Sequence, residues 1–140
     1  MKANELMVGD LILIHEPDCK GHRIDYISEI DEEVGADGEL YPIGYIKPIP
    51  LTPEILEKNG FEKTLDADDM ECYRYYNRAA DGHIKIILHD GGDGDWSIEI
   101  VNYDKFHDYE IRYKNEFLFL KVHQLQHALR LCDIEKEIEL

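Results

Sequence analysis

Apolar and polar positions alternate along most of this chain with the two-residue period of half-buried strands; two segments carry helix signals instead. Leu11-Ile12-Leu13-Ile14 is a continuous apolar run after the turn signal Gly9-Asp10. In Arg23 to Ile30, Ile24 and Tyr26 alternate with Asp25, and the pattern then shifts register. Asp37-Gly38 has hairpin-turn chemistry. Leu40 to Ile46 reads as a third strand, with Pro42 marking an edge or a bulge. These short strands predict either a small SH3-like barrel or a plain meander.

The later part of the chain reads as an antiparallel meander. Cys72 to Tyr76 is its first strand. Ile84, Ile86 and Leu88 fall on one face of the next, and Trp96, Ile98 and Ile100 on one face of the third. Tyr109, Ile111 and Tyr113 alternate with Glu110 and Arg112, and Lys114-Asn115-Glu116 reads as a turn into Phe117 to Lys121. One sheet face is then buried and the other wet. Val122, Leu125, Leu129 and Cys132 form one apolar stripe of a last helix, over 122–131. The tail Ile134 to Leu140 predicts an added edge strand or a frayed end.

Between these regions, Leu51-Thr52-Pro53-Glu54-Ile55-Leu56-Glu57-Lys58-Asn59-Gly60-Phe61 specifies one short helix over 53–59. Thr52 suits the N-cap, Pro53 the first helical position and Glu54 the positive end of the dipole. Leu51 and Leu56 have staple spacing. Gly60 suits the left-handed position after the last turn, with Phe61 folding back on Leu56. The fold class is therefore α+β. A small β-rich lobe spans 1–50 and a helix–β-meander–helix lobe spans 51–140, together making one compact unit.

Composition narrows the classes of function. The chain has 140 residues, 44% of them hydrophobic, which is enough for a core. No apolar run approaches the ~20 residues of a membrane span, and the first residues lack a basic-then-apolar leader pattern. Cys19, Cys72 and Cys132 are widely spaced, read as free thiols of a reducing compartment and show no zinc pattern. A cytoplasmic protein is expected. Net charge is −16, with 31 acidic against 15 basic residues spread over both lobes. Such charge opposes direct binding to nucleic acid or anionic membranes. It serves solubility, or else a nucleic-acid mimic with carboxylates gathered on one face.

Candidate chemistry is sparse. Asp90, Asp93 and Asp95 lie in the loop Asp90-Gly91-Gly92-Asp93-Gly94-Asp95. They offer hard oxygens to a cation, but their spacing departs from an EF-hand loop and suits a hairpin turn equally. His123 and His127 have the i, i+4 spacing of two zinc ligands, yet Gln124 stands where a zincin has Glu. His123, Gln126, His127 and Arg130 form a polar, partly basic stripe beside the apolar one. That stripe either contacts a partner or is spent internally, with Gln126 and His123 satisfying backbone groups and Arg130 answering the helix dipole. No nucleophile motif and no phosphate-binding glycine loop occurs, no catalytic residue is assigned, and the sequence calls for no cofactor.

Three segments occur in order across nearly the whole chain: Met1 to Asp10, Ile49 to Leu56 with Asn59-Gly60-Phe61, and Val122-His123-Gln124-Leu125-Gln126. Together they resemble a family of short uncharacterised proteins of Bacteroides-type gut bacteria, their phages and mobile elements. The chain departs from that pattern at Met7 and Asp10, and at Leu131-Cys132-Asp133, where a Thr-Gly turn is usual. The resemblance implies a cytoplasmic accessory protein and brings no catalytic residues. The expected function is that of a non-catalytic factor binding another protein, with a metal- or small-ligand-binding regulator and an acidic nucleic-acid mimic as alternatives. An enzyme whose residues converge only in space is a third class.

Overall fold

The computed structural model describes residues 2–18, 21–79, 82–90, 95–104, 109–118 and 121–140; at 3, 78, 79, 82, 95, 104 and 109–118 it describes the backbone alone. The fold is α+β; the described residues form two five-stranded antiparallel sheets and two α-helices. The chain forms two compact units. The first comprises Met1–Pro50 with Lys121–Leu129, and the second Leu51–Leu120 with Arg130–Leu140. The start of the last helix thus belongs with the first fifty residues.

The first unit holds strands β1 (Leu11–Ile14), β2 (Arg23–Ile30), β3 (Val34–Ala36), β4 (Glu39–Tyr41) and β5 (Ile46–Lys47). Their order in the sheet is β4-β3-β2-β1-β5. A plain meander would leave β5 beside β4; here Ile46 pairs with Ile14 on β1. The expected third strand, Leu40 to Ile46, is broken in two. Pro42 has no N–H to give a ladder and instead opens a 3-10 turn over Ile43–Tyr45, closed by Tyr45 N–H donating to the Pro42 carbonyl at 2.9 Å. Strand β3 has only three residues, too few for periodicity to reveal. The register shift in the β2 sequence is a real irregularity between Ile27 and Glu29. Ile12, Ile14, Ile27, Val34, Ala36, Tyr41 and Ile46 form the core of this unit. Ile24 and Tyr26 point away from it and are exposed.

The second unit begins with helix α1 (Pro53–Lys58). Each end follows the sequence chemistry. Thr52 Oγ1 accepts from Ile55 N–H at 3.3 Å. At the other end Gly60 has φ +85°, Phe61 N–H reaches the Leu56 carbonyl at 3.0 Å and Gly60 N–H the Glu57 carbonyl at 3.2 Å, which is a Schellman closure. Phe61 then stacks at 5.2 Å on Tyr75.

Strands β6 (Glu62–Leu65), β7 (Glu71–Ala79), β8 (Gly82–Asp90), β9 (Asp95–Asp104) and β10 (Tyr109–Leu118) follow in meander order. Trp96 and Ile98 are buried on one face with Tyr73, Ile86 and Leu88. The opposite face, expected to be wet, also buries Cys72, Ile87 and Val101 as a small cluster. The expected turn at Lys114-Asn115-Glu116 is absent. These residues pair with Glu99, Ile98 and Ser97 within one ten-residue ladder, because β9 offers a partner backbone over that whole length. Strand β6 was hidden by its composition, since Glu62, Lys63 and Thr64 lack apolar alternation.

Helix α2 runs from Val122 to Leu131 as the stripe predicts, and Val122, Leu125 and Leu129 are buried. Gln124 Oε1 accepts from Lys121 N–H at 2.7 Å, as in one arm of a capping box. After the helix, Asp133 takes the left-handed conformation, φ +54°, that glycine usually fills. The tail neither forms a strand nor frays. Ile134 and Ile138 are buried, and the buried Asn59 side chain holds Glu139 in both directions. Its Oδ1 accepts from Glu139 N–H at 2.8 Å, and its Nδ2 donates to the carbonyls of Glu139 at 2.6 Å and Ile55 at 2.7 Å.

Two outcomes follow for the α1 segment. Asn59→Ala removes three hydrogen bonds and is expected to cost about 2–4 kcal/mol in urea unfolding, with faster proteolysis after Asp133. Gly60→Val forces a β-branched side chain into a positive φ and is expected to cost at least about 1 kcal/mol by the same measurement.

Candidate functional site

The polar stripe of α2 meets the turn before β1 inside the first unit. In that turn Asp10 N–H donates to the Met7 carbonyl at 3.0 Å, and Gly9 has φ +87°. A side chain at Gly9 would be strained, which is why Gly precedes Asp here. The Asp10 carboxylate is fully buried. It accepts from Met7 N–H at 2.8 Å and faces His127 Nε2 with both oxygens, at 2.9 and 3.0 Å. An ionised carboxylate only accepts, so Nε2 carries the proton and donates.

Gln126 binds the same turn through its amide. Its Oε1 accepts from Leu11 N–H at 2.8 Å, and its Nε2 donates to the Gly9 carbonyl at 3.2 Å. Val122 N–H donates to the Ile49 carbonyl at 2.9 Å, and Lys121 forms a bridge with Pro50. The helix is therefore fastened to the first fifty residues at its entry and at its middle.

His123 is buried beside His127, with ring centroids 5.7 Å apart in an edge-to-face arrangement. Burial pushes its imidazole below the ordinary value; the nearby Asp10 carboxylate opposes that shift and His127 adds to it. Its Nδ1 is buried without a hydrogen-bond partner among the described residues. Of the four stripe residues, Gln126 satisfies backbone groups, His127 holds a carboxylate, His123 fills space as a neutral ring, and Arg130 lies in the second unit. The polar stripe is thus largely spent inside the protein. Sequence spacing aligned these side chains correctly but carried no sign that Asp10, 117 residues away, would answer His127.

A second polar cluster lies on the sheet of the second unit, built from residues with no shared local motif. His89 Nδ1 is 3.4 Å from Asp66 and its Nε2 3.7 Å from Glu99. Asp66 also accepts from Met70 and Asp68 N–H, at 3.0 and 2.8 Å, and these two donors hold its carboxyl below the usual range. Of the weak cation candidates, Asp90 ends β8, Asp93 lies outside the described residues, and Asp95 is described by its backbone alone at the start of β9. The strands flanking them are antiparallel, with Asp90 opposite Trp96. Among the described residues, no group of three His, Cys, Asp or Glu side chains is placed to hold a metal ion. Cys72 is buried on β7 and burial raises the Cys132 thiol pKa; Cys19 lies outside the described residues.

The class that these features define is an α+β protein in which α2 and the β1 turn share one buried polar junction. Compared with known proteins, the chain matches no family model, no curated protein and no solved structure at a significant level. No helix among the described residues is long and apolar enough to cross a membrane.

The junction generates two expectations. His127→Ala leaves the buried Asp10 carboxylate short of a donor and is expected to cost about 3 kcal/mol in chemical denaturation. Adding Asp10→Asn to that variant should recover part of the loss, since the stranded charge is gone. For His123, the folded state holds the ring neutral while the unfolded ring takes up a proton near 6.5. Its contribution is therefore complete above that pH and declines as pH falls from there toward the lowered folded value. His123→Leu should remove this part of the slope between unfolding midpoints measured at about pH 7.5 and about pH 5.5.

Proposed function

We propose that this chain is a cytoplasmic, non-catalytic accessory factor of a phage or mobile element that acts by binding another protein. The observation that carries this reading is the outward face of β2. Ile24 is 47% and Tyr26 41% exposed, one above the other on the strand. Met7 and Val8 are exposed as well, in the turn that Gly9 ties to Ile27. Single exposed apolar residues are ordinary; adjacent ones on a strand face with an apolar turn beside it are the kind of feature that contacts use.

The net charge of −16 favours a partner whose apolar contact surface is rimmed by basic groups. The α2 stripe plays a supporting part in this reading. It holds the β1 turn in place, and so fixes Met7 and Val8 relative to β2. The resemblance in the three sequence segments supports the setting in a mobile element.

Affinity capture from lysate of a Bacteroides-type host, followed by crosslinking, tests the proposal. Wild-type protein is expected to retain a partner in stoichiometric amount, and Ile24→Asp with Tyr26→Ala to lose it at unchanged stability. Repeated capture without a stoichiometric partner, or capture indifferent to both substitutions, would overturn it.

A further inference from the structure

The sheet of the second unit ends in two unlike edges. Strand β6 offers only four residues, Glu62–Leu65, and a short charged edge resists pairing with another chain. Strand β10 offers ten, Tyr109–Leu118, with no proline or glycine among them. Its register against β9 runs from Tyr109 opposite Asp104 to Leu118 opposite Asp95 without a shift, so no bulge twists this edge away. Among the described residues no strand pairs with its outer side. The stretches outside them are at most four residues long. Fully extended, four residues span about 14 Å, against about 33 Å for the strand. The outer backbone of β10 is a template for one further strand.

We propose that β10 is the interface through which two copies of this chain associate, pairing antiparallel about a two-fold axis so that one sheet continues across both. The charges of the strand select the partner and the register. Glu110, Arg112, Lys114 and Glu116 share one face of the strand and sum to zero. On a chain of net charge −16, such a neutral strip is where self-association meets least repulsion. Directly opposed residues of an antiparallel pair lie on the same face, so the axis passes through a residue position. Centring it on Tyr113 pairs residues 109–117 of both copies, and centring it on Lys114 pairs residues 110–118; any other centre pairs a shorter stretch. The Tyr113 register sets Arg112 against Lys114 and Glu110 against Glu116, and like charges directly opposed are destabilising. The Lys114 register sets Arg112 against Glu116 of the second copy twice over, and Ile111 against Phe117 on the other face. The two central lysines each have Glu99 opposite them on β9.

The test is sedimentation equilibrium of the full chain under reducing conditions, where a monomer–dimer equilibrium is expected. Arg112→Glu and Glu116→Arg should each weaken it roughly tenfold, because each turns two opposite-charge pairs into like-charge pairs. The double variant restores both pairs and should recover most of the loss. Ile24→Asp, on the other sheet, should dimerise as wild type does, so this interface and the contact face of β2 fail separately. Position 114 faces itself across the axis at a Cα separation of about 4.5–5.5 Å, within disulfide reach. Lys114→Cys is therefore expected to form a 114–114 disulfide under mild oxidation, identified by peptide mass spectrometry, and Arg112→Cys to form no 112–112 link. Far-UV circular dichroism establishes that each variant is folded. A folded wild type that stays monomeric at its highest soluble concentration would overturn the proposal. So would a dimer indifferent to both charge reversals, a double variant no tighter than the single ones, or the absence of the 114–114 link.

Discussion

The fully buried carboxylate of Asp10 is the constraint around which the first unit is arranged. A charge removed from water must be paired and hydrogen-bonded where it sits. The turn that carries it supplies one donor, from Met7 N–H, and His127 supplies another. The backbone on either side of it, the Gly9 carbonyl and Leu11 N–H, is likewise answered by Gln126. Satisfying one turn therefore requires a helix from the far end of the chain, and α2 is bound in the position that brings His127 and Gln126 to it.

The two units use the same device. In the first, the Gln126 amide accepts from one backbone N–H and donates to a nearby carbonyl; in the second, Asn59 does the same with Glu139. An amide side chain reproduces the donor and acceptor pair of a peptide group, so it can complete backbone pairing where no strand is present. This explains how the tail after α2 is ordered without secondary structure. Ile134 and Ile138 supply the apolar burial and Asn59 supplies the polar closure.

Local chemistry in the sequence was legible, and long-range pairing was not. The caps of α1, the extent of α2, the Asp37-Gly38 turn and the irregularity in β2 all follow from residues within a few positions of each other. Strand β6 and the three-residue β3 escaped because alternation needs apolar residues or length, and they lack one or the other. Strand β10 reads locally as two elements because Lys114-Asn115-Glu116 has loop composition, whereas a ten-residue partner ladder overrides local preference. The stripe on α2 was visible as a stripe. Its partners were not, since neither Gln126 nor Asp10 differs in local sequence from an ordinary surface residue.

The discontinuity of the first unit bears on how the chain is made. Synthesis delivers residues 1–50 first, yet the segment that neutralises their buried carboxylate belongs to 121–129 and comes after seventy intervening residues. Until then Asp10 lacks the donor that His127 supplies. Ribosome-bound chains halted before residue 121 should therefore hold the first lobe in a loose state, able to open and hydrate its aspartate. The lobe closes only once residues 121–129 have been made, so its compaction waits on a segment synthesised well after its own strands.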